Sequence, residues 1–302
     1  MKRRDFIIKT SAATALTLTG VGLSSFTSKT TKKITILHTN DTHSHLDVFS
    51  ATDPRFPDQG GAARRATLFN EIKKENPHTL IFDAGDMFQG TPYFNYYGGE
   101  LEIKIMNKLQ YNAATIGNHE FDNGVNSLAE QFGKANFDII ASNYDFTNTL
   151  MNGLTKPYKV YIQNDVKIGV FGLGIQLAGL VNKSEYGETI WHNPIEIAQD
   201  MTRILKEDLK CDIIICLSHL GYQYASSETV SDLVLAAQTK DIDLIIGGHT
   251  HTFLDQPTIV LNKDNKEVIV NQVGCFGVRV GQIDFYVDQF KNKRTVSKVI
   301  TV

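Results

Sequence analysis

Five short stretches of the chain carry residues of the kinds that hold and use metal ions. They are Asp41 with His43, Asp86, Asn118 with His119, His219, and His249 with His251. Asp offers a hard, charged oxygen and His a borderline nitrogen, a mixture suited to Zn, Mn, Fe or Co rather than Ca. One carboxylate can bridge two such ions about 3.5–4 Å apart, and the pair can activate water and clamp the oxygens of a phosphoryl group. Asn118 adds a neutral oxygen where a further carboxylate would over-neutralise the site. Taken singly, Gly-Asp, Gly-Asn and Gly-His are ordinary turn chemistry. What sets these five apart is a shared position: each follows directly on the C-terminal end of an apolar run.

Those runs alternate with helical patterns. Residues 34–38 read as a strand ending at the polar string Thr39 to His43, and residues 62–75 as an amphipathic helix with Ala66, Phe69 and Ile72 on one face. Residues 79–83 form the next apolar run, stopping at Ala84-Gly85-Asp86. A helix is expected over 101–109, a strand over 113–116, a helix over 125–134 and a strand over 138–142. Residues 158–163 and 167–172, separated by Asn164-Asp165, read as a hairpin. Residues 195–209 read as a helix with acids early and lysines late, as the macrodipole prefers. Strands over 213–217 and 242–246 end at Ser218-His219 and at Gly247-Gly248-His249, and strands over 268–273 and 278–287 close the chain. Ligand-bearing loops beyond strand C-termini are where α/β sheets build their sites. With no low-complexity linker and no repeat, one α/β domain over residues 32–302 is the economical organisation.

Longer strings carry a resemblance. Leu37-His38-Thr39-Asn40-Asp41-Thr42-His43, the run from Gly85 to Thr91, and Ile116-Gly117-Asn118-His119-Glu120-Phe121-Asp122 resemble the catalytic domain of 5′-nucleotidases, within the calcineurin-like metallophosphoesterases. The resemblance extends from residue 33 to about residue 290. It implies a single-domain, four-layer αββα sandwich with a dimetal site at the strand C-terminal ends, holding two divalent ions (Zn, Mn, Fe or Co). By the same resemblance Asp41, His43 and His251 ligate the first metal and Asp86 bridges. Asn118, His219 and His249 ligate the second. His119 is implied as the non-ligand histidine that stabilises the transition state or protonates the leaving oxygen, with Asp122 orienting it, and Asn118 and His119 also meet the substrate. Some nucleotidases have Gln where this chain has His251, a change that keeps a ligand.

The implied activity is phosphomonoester hydrolysis on a small-molecule substrate, a nucleotide in the first instance. Alternatives on the same fold are hydrolysis of a cyclic nucleotide or of another phosphoester or sulfate ester, or a non-catalytic subunit. Against the last stand the full ligand set and the His119–Asp122 pair. Nucleotidases carry a C-terminal domain that stacks the base and adds arginines. This chain reaches Val302 before any such domain, so a separate nucleotide-binding protein is the expected partner.

Composition narrows the rest. The chain has 302 residues and a net charge of −3, the wrong sign for nucleic-acid binding. Residues 1–28 read as a twin-arginine signal, with Arg3 and Arg4 ahead of Phe6, Lys9 and an apolar stretch over 12–23. That implies a twin-arginine export machinery as partner and a periplasmic or extracytoplasmic location, anchored if the signal is not cleaved. Three cysteines exclude a disulfide framework, and the odd spacing of Cys211 and Cys216 places them on opposite faces of a strand. His38 reads as a core residue and His45 as structural. His78 and His192 lie in loops. The cluster Tyr93, Phe94, Tyr96 and Tyr97 suits either base stacking or loop packing.

Overall fold

Alternation of side chains along the first strand already separates two cores. Ile34 and Ile36 point into one apolar cluster and Leu37 into another. The computed structural model describes residues 31–226 and 229–302, so the signal-like segment at 1–28 lies outside the described residues. Residues Thr31–Val302 form one unit. Its strands, in chain order, are β1 (Lys32–Thr39), β2 (Thr79–Asp83), β3 (Ala113–Ala114), β4 (Asp138–Ile139), β5 (Tyr144–Asp145), β6 (Tyr158–Gln163) and β7 (Val166–Gly174). There follow β8 (Ile190–Trp191), β9 (Ile213–His219), β10 (Leu244–Gly247), β11 (Thr258–Leu261), β12 (Glu267–Asn271), β13 (Arg279–Val287) and β14 (Lys293–Thr301). The helices are α1 (Ala62–Glu75), α2 (Pro92–Tyr97), α3 (Glu100–Leu109), α4 (Gly124–Phe132), α5 (Lys183–Tyr186), α6 (Pro194–Arg203) and α7 (Asp232–Gln238).

Two six-stranded sheets run in the orders β14-β13-β1-β2-β3-β4 and β11-β12-β10-β9-β7-β6, and β5 pairs with β8 apart from them. In the first sheet β1, β2, β3 and β4 are parallel, and β13 is antiparallel to β1. In the second, β12, β10, β9 and β7 are parallel, with β6 and β11 antiparallel at the edges. Ile34, Ile36, Leu80 and Phe82 from one sheet pack with Ile168, Val170, Ile215 and Ile246 from the other, so the sheets bury a face against each other. The opposite face of the first sheet, through Leu37 and Ile81, packs on Phe69, Ile103 and Leu128 of α1, α3 and α4. Ile214 and Ile245 of the second sheet pack on Ala198 of α6 and Leu235 of α7. The result is the expected helix–sheet–sheet–helix sandwich. Parallel strands buried on both faces explain why the sequence shows continuous apolar runs.

Several boundaries differ from expectation, each for a physical reason. The segment at 113–116 pairs only over Ala113–Ala114 before the Asn118 loop begins, and that at 138–142 pairs over Asp138–Ile139 and then bridges from Ile140 to Lys156. The helix expected over 195–209 is α-helical to Arg203 and then loosens into a π turn over Ile204–Asp208. Its start is capped by Asn193, whose Oδ1 accepts from the Ile195 amide at 2.9 Å. Strands β11 and β14 are edge strands with alternate residues in solvent; β14 lacks an apolar run, and β11 offers only the short Ile259-Val260-Leu261. The chain therefore closes on β14, one strand later than expected. Cys211 and Cys216 share one helix-side core, because Cys211 sits in the turn before β9, where strand alternation does not apply. Among the described residues no helix is long and apolar enough to cross a membrane.

Candidate metal centre

Parallel strands put their C-terminal ends at one edge, and the ligand loops meet there. Asp41 and His43 follow β1, Asp86 follows β2, Asn118 and His119 follow β3, His219 ends β9, and His249 and His251 follow β10. Asp41, His43 and His251 each offer one ligand atom within 4.8 Å of the others, and Asp86, His219 and His249 do the same. The His43 and His251 Nε2 atoms stand 2.9 Å apart, and Asp41 Oδ1 is 3.3 Å from the latter. Asp86 Oδ2 lies 3.0 Å from His219 Nε2 and 3.8 Å from His43 Nε2, between the two groups. Asn118 Oδ1 is 2.9 Å from His249 Nδ1, which joins it to the second group. All seven residues expected as ligands are thus brought together.

The backbone pays for this convergence in strain. Asp41, His43, Asp86, His249 and His251 all have positive φ, from 46° to 73°. Non-glycine residues rarely adopt that region, and such outliers gather where a site over-determines them. Two glycines leave the room the loops need. A Cβ on Gly117 would lie 2.2 Å from Asp86 Oδ1, and one on Gly85, at φ 89°, would lie 2.7 Å from the Gly117 amide.

The donor set fits a pair of cations. His43 Nδ1 faces the carbonyls of Phe88 and Gln89 at 3.1 and 3.2 Å, and His219 Nδ1 faces that of Ala84 at 2.7 Å. Each carbonyl accepts an N–H there, which turns the Nε2 of both rings toward the carboxylates, where it can bind a metal ion once it gives up its proton. His219 is fully buried, and the polar atom its Nε2 faces is Asp86 Oδ2. Burial disfavours a charge on His219, yet Asp86 and then Asp41 hold its pKa up at about 10. The hydrogen bond with Asp41 likewise holds His251 at about 10. Burial, reinforced by the field of His219, takes His249 down to about 4. Burial also opposes the Asp86 charge, and His219 outweighs it, so the carboxyl stays below its ordinary range. Among the described residues no lysine or arginine pairs with Asp41 or Asp86. The pocket therefore draws positive charge, and metal ions binding there would displace protons.

His119 stands at the rim. Its amide donates to Asp86 Oδ1 at 2.9 Å, its Nδ1 lies 2.8 Å from Asp122 Oδ2, and its ring meets that of His43 edge-on at 5.1 Å. The hydrogen bond with Asp122 raises its pKa. An oriented, half-buried histidine with one nitrogen free is equipped to hand a proton to a leaving group.

Sequence reasoning assigned no role to Glu120 or Asn40. The buried Glu120 carboxylate accepts from the amides of Gly117, Asp86, Met87 and Phe88 at 2.6, 2.9, 2.8 and 3.2 Å, binding the two central loops together. Asn40 donates to Asp41 Oδ2 at 2.5 Å and to the Gly274 carbonyl at 2.6 Å. An acid directly following Asn118-His119 was the only available signal. His38 is fully buried, with Nε2 facing Asn271 Nδ2 at 2.9 Å, as a core residue should be. His45 lies between Phe49 and Phe276, its Nδ1 donating to the His43 carbonyl at 2.8 Å. Of the aromatic cluster, Phe94 is buried, Tyr93 donates to Asp47 at 2.7 Å, and Tyr96 and Tyr97 are exposed.

Layer order and ligand geometry together define a dinuclear phosphoesterase scaffold. The chain belongs to the calcineurin-like phosphoesterase family, whose pattern matches residues 34–253. It is 34% identical over 289 residues to the trifunctional nucleotide phosphoesterase protein YfkN of Bacillus subtilis, covering 85% of this chain and 18% of that one. It is 33% identical over 281 residues to the 5′-nucleotidase of Bos taurus, covering 86% and 47%. The crystal structure of a 5′-nucleotidase precursor from Thermus thermophilus superposes with a TM-score of 0.80 at 32% identity, over 90% of this chain and 55% of that one. The chain spans about half the length of the nucleotidases it matches.

Proposed function

We propose that the protein is an exported, two-metal phosphomonoesterase acting on nucleotides. The observation that carries this is the placement of Asp86, which belongs to one ligand triad with His219 and His249 and whose Oδ2 also comes within 3.8 Å of His43 in the other. In this reading Asp41, His43 and His251 hold one divalent ion and Asn118, His219 and His249 the other, with Asp86 shared between them. Bound there, the ions supply an activated water and neutralise the phosphoryl oxygens. The chain's own part is to hold that geometry. Glu120 fixes the two central loops, and the carbonyls of Phe88, Gln89 and Ala84 orient the histidines. Asn118 and His119 meet the substrate, and His119, oriented by Asp122, protonates the departing oxygen. Relatives bearing the names nucleotide phosphoesterase and 5′-nucleotidase support nucleotides as the substrate class.

Residues 1–28 serve as a twin-arginine signal and residues 32–302 as the catalytic domain, delivered outside the cytoplasm. Tight selection of a base comes from a separate nucleotide-binding surface laid over the edge near Asn118 and the Tyr93–Tyr97 helix. The deciding experiment is a screen of the metal-loaded full chain against nucleoside mono-, di- and triphosphates, cyclic nucleotides, sugar phosphates and sulfate esters. Preferential release of phosphate from nucleotides supports the reading. Exclusive turnover of a cyclic or sulfate ester, or none at all, overturns it. Fractionation after replacing Arg3 and Arg4 by Lys tests delivery, and normal export of that variant would rule out the twin-arginine route.

A further inference from the structure

Next to the first ligand group the chain builds an aromatic ledge that the phosphoesterase reading leaves unused. Phe276 sits in left-handed backbone, at φ 62°, a costly conformation for a bulky residue. Its amide donates to the Asp41 carbonyl at 2.7 Å, which ties it to a ligand loop. Its ring centroid is 6.0 Å from that of His43 and 5.9 Å from that of His251. Phe56, from the loop after β1, approaches it to 6.0 Å, and Phe253 stacks on Phe56 at 5.7 Å.

Two guanidinium groups lie over this ledge, and they differ in company. Arg279 lies 5.1 Å over Phe253 and is neutralised by Asp255 at 2.9 Å. Arg55 lies over Phe56 at 5.5 Å and Phe276 at 5.8 Å, exposed, and among the described residues no carboxylate is within ion-pair distance of its side chain. Its neighbour Asp53 is engaged otherwise: Oδ1 accepts from the amides of Arg55 and Phe56 at 2.9 and 2.7 Å, shaping the turn that presents the arginine. A guanidinium resting on ring faces keeps its in-plane N–H groups free, and that fork matches phosphoryl oxygens. Resting on the rings also restricts the side chain, so less freedom is lost when an anion arrives.

We propose that Arg55, laid on Phe56 and Phe276, is an anion subsite for a second phosphoryl group bonded to the one at the metal centre. The ligand class is a diphosphate, whether of a nucleoside or inorganic. The proposal rests on the phosphoesterase reading and adds a leaving-group contact to it. Water supplies the oxygen to the reacting phosphorus and releases a proton to solvent, the anhydride P–O bond breaks, and the phosphoryl group on Arg55 departs with the bridging oxygen and that bond's electron pair, taking a proton from His119.

The test compares the metal-loaded full chain with Arg55→Ala and Arg55→Lys on ADP, inorganic pyrophosphate, AMP and p-nitrophenyl phosphate. For Arg55→Ala, kcat/KM for both diphosphates should fall about tenfold relative to the two monoesters, through KM. That is the size of one charge-assisted hydrogen bond at a partly exposed site. Lysine, without the fork, should restore only part. Calorimetric binding of methylenediphosphonate, which cannot be hydrolysed at its P–C–P link, should weaken by a similar factor relative to inorganic phosphate. Equal losses on all four substrates, no change in either ratio, or a loss confined to ADP would overturn the proposal. If the native chain cleaves none of the four, the phosphoesterase reading fails, and the methylenediphosphonate comparison still decides on Arg55.

Discussion

At the N-terminal ends of β4, β9 and β10, Asp138, Asp212 and Asp243 each meet a lysine: Lys156, Lys291 and Lys293 respectively. At the C-terminal ends of β1 and β2, Asp41 and Asp86 face histidine, asparagine and backbone amides, with no lysine or arginine paired to them among the described residues. None of the three lysine-paired aspartates has positive φ, whereas both aspartates at the other pole do. One end of the sandwich is thus electrostatically closed, its charges neutralised at the surface where each pair contributes little. The other end is buried and strained, and its aspartates face histidines, whose protons metal ions can displace, in place of lysine or arginine. Pairing within the chain makes a rim, and withholding it makes a cation site.

The comparison breaks most sharply at Asp86. Asp86→Asn removes the shared charge, so turnover should fall by more than the 10–100-fold typical for groups behind metal ligands, with metal content falling too. Chelation should lower the melting temperature of the native protein and change that of the variant little, because stabilisation by a bound ion follows its concentration over Kd. Full activity with two ions still bound to the variant by elemental analysis would remove the basis for a shared carboxylate.

His119→Ala sharpens the picture within the same pole. It should keep both ions and the fold while turnover drops about 10²–10⁴-fold, the range for a lost acid or base. An aryl phosphate, with its better leaving group, should suffer less than an alkyl ester. Loss of metal in this variant would make His119 a ligand instead.

The smallest effect belongs to the closed pole. Burial opposes the Asp138 charge, and the Lys156 hydrogen bond with that of Tyr161 outweighs it, so the folded carboxyl titrates below its ordinary value. Its stabilisation is therefore present above the unfolded value near 4 and is lost as pH falls through the folded one. Asp138→Asn should cost at most about 1 kcal/mol at neutral pH. It should also flatten the acid limb of urea-unfolding stability below about pH 4, with turnover unaltered. A variant that loses turnover as well would show that the two poles are coupled.

Much of the metal pole was legible from local pattern. A continuous apolar run announces a strand buried on both faces, and an Asp or His just past its end stands at the sheet's active edge wherever the strand goes. That is why Asp41, His43, Asp86, Asn118, His219, His249 and His251 could be named from their neighbours alone. Glu120 escaped because its role is to accept four amides from two loops, and amides carry no sequence signature. Strand β14 escaped because its half-exposed edge lacks the apolar signal, whereas the apolar run of β11, Ile259-Val260-Leu261, is shorter than the runs that mark the buried strands. Cys211 was misplaced because alternation was applied one turn too early.

The sequence by itself determined the ligand types and the order of the strands and helices that carry them, through short-range composition and spacing, and its motif strings carried the resemblance that named the family. The tertiary structure decided which candidate ligands come together, because Asp41 meets His251 and Asp86 meets His219 only across the two packed sheets. It also decided that Arg55 lies on Phe276 while Arg279 lies on Phe253 beside Asp255. Contacts such as Asp41–His251, Asp86–His219 and Arg55–Phe276, all more than a hundred positions apart, are set by the packing of whole layers, and no local pattern encodes them.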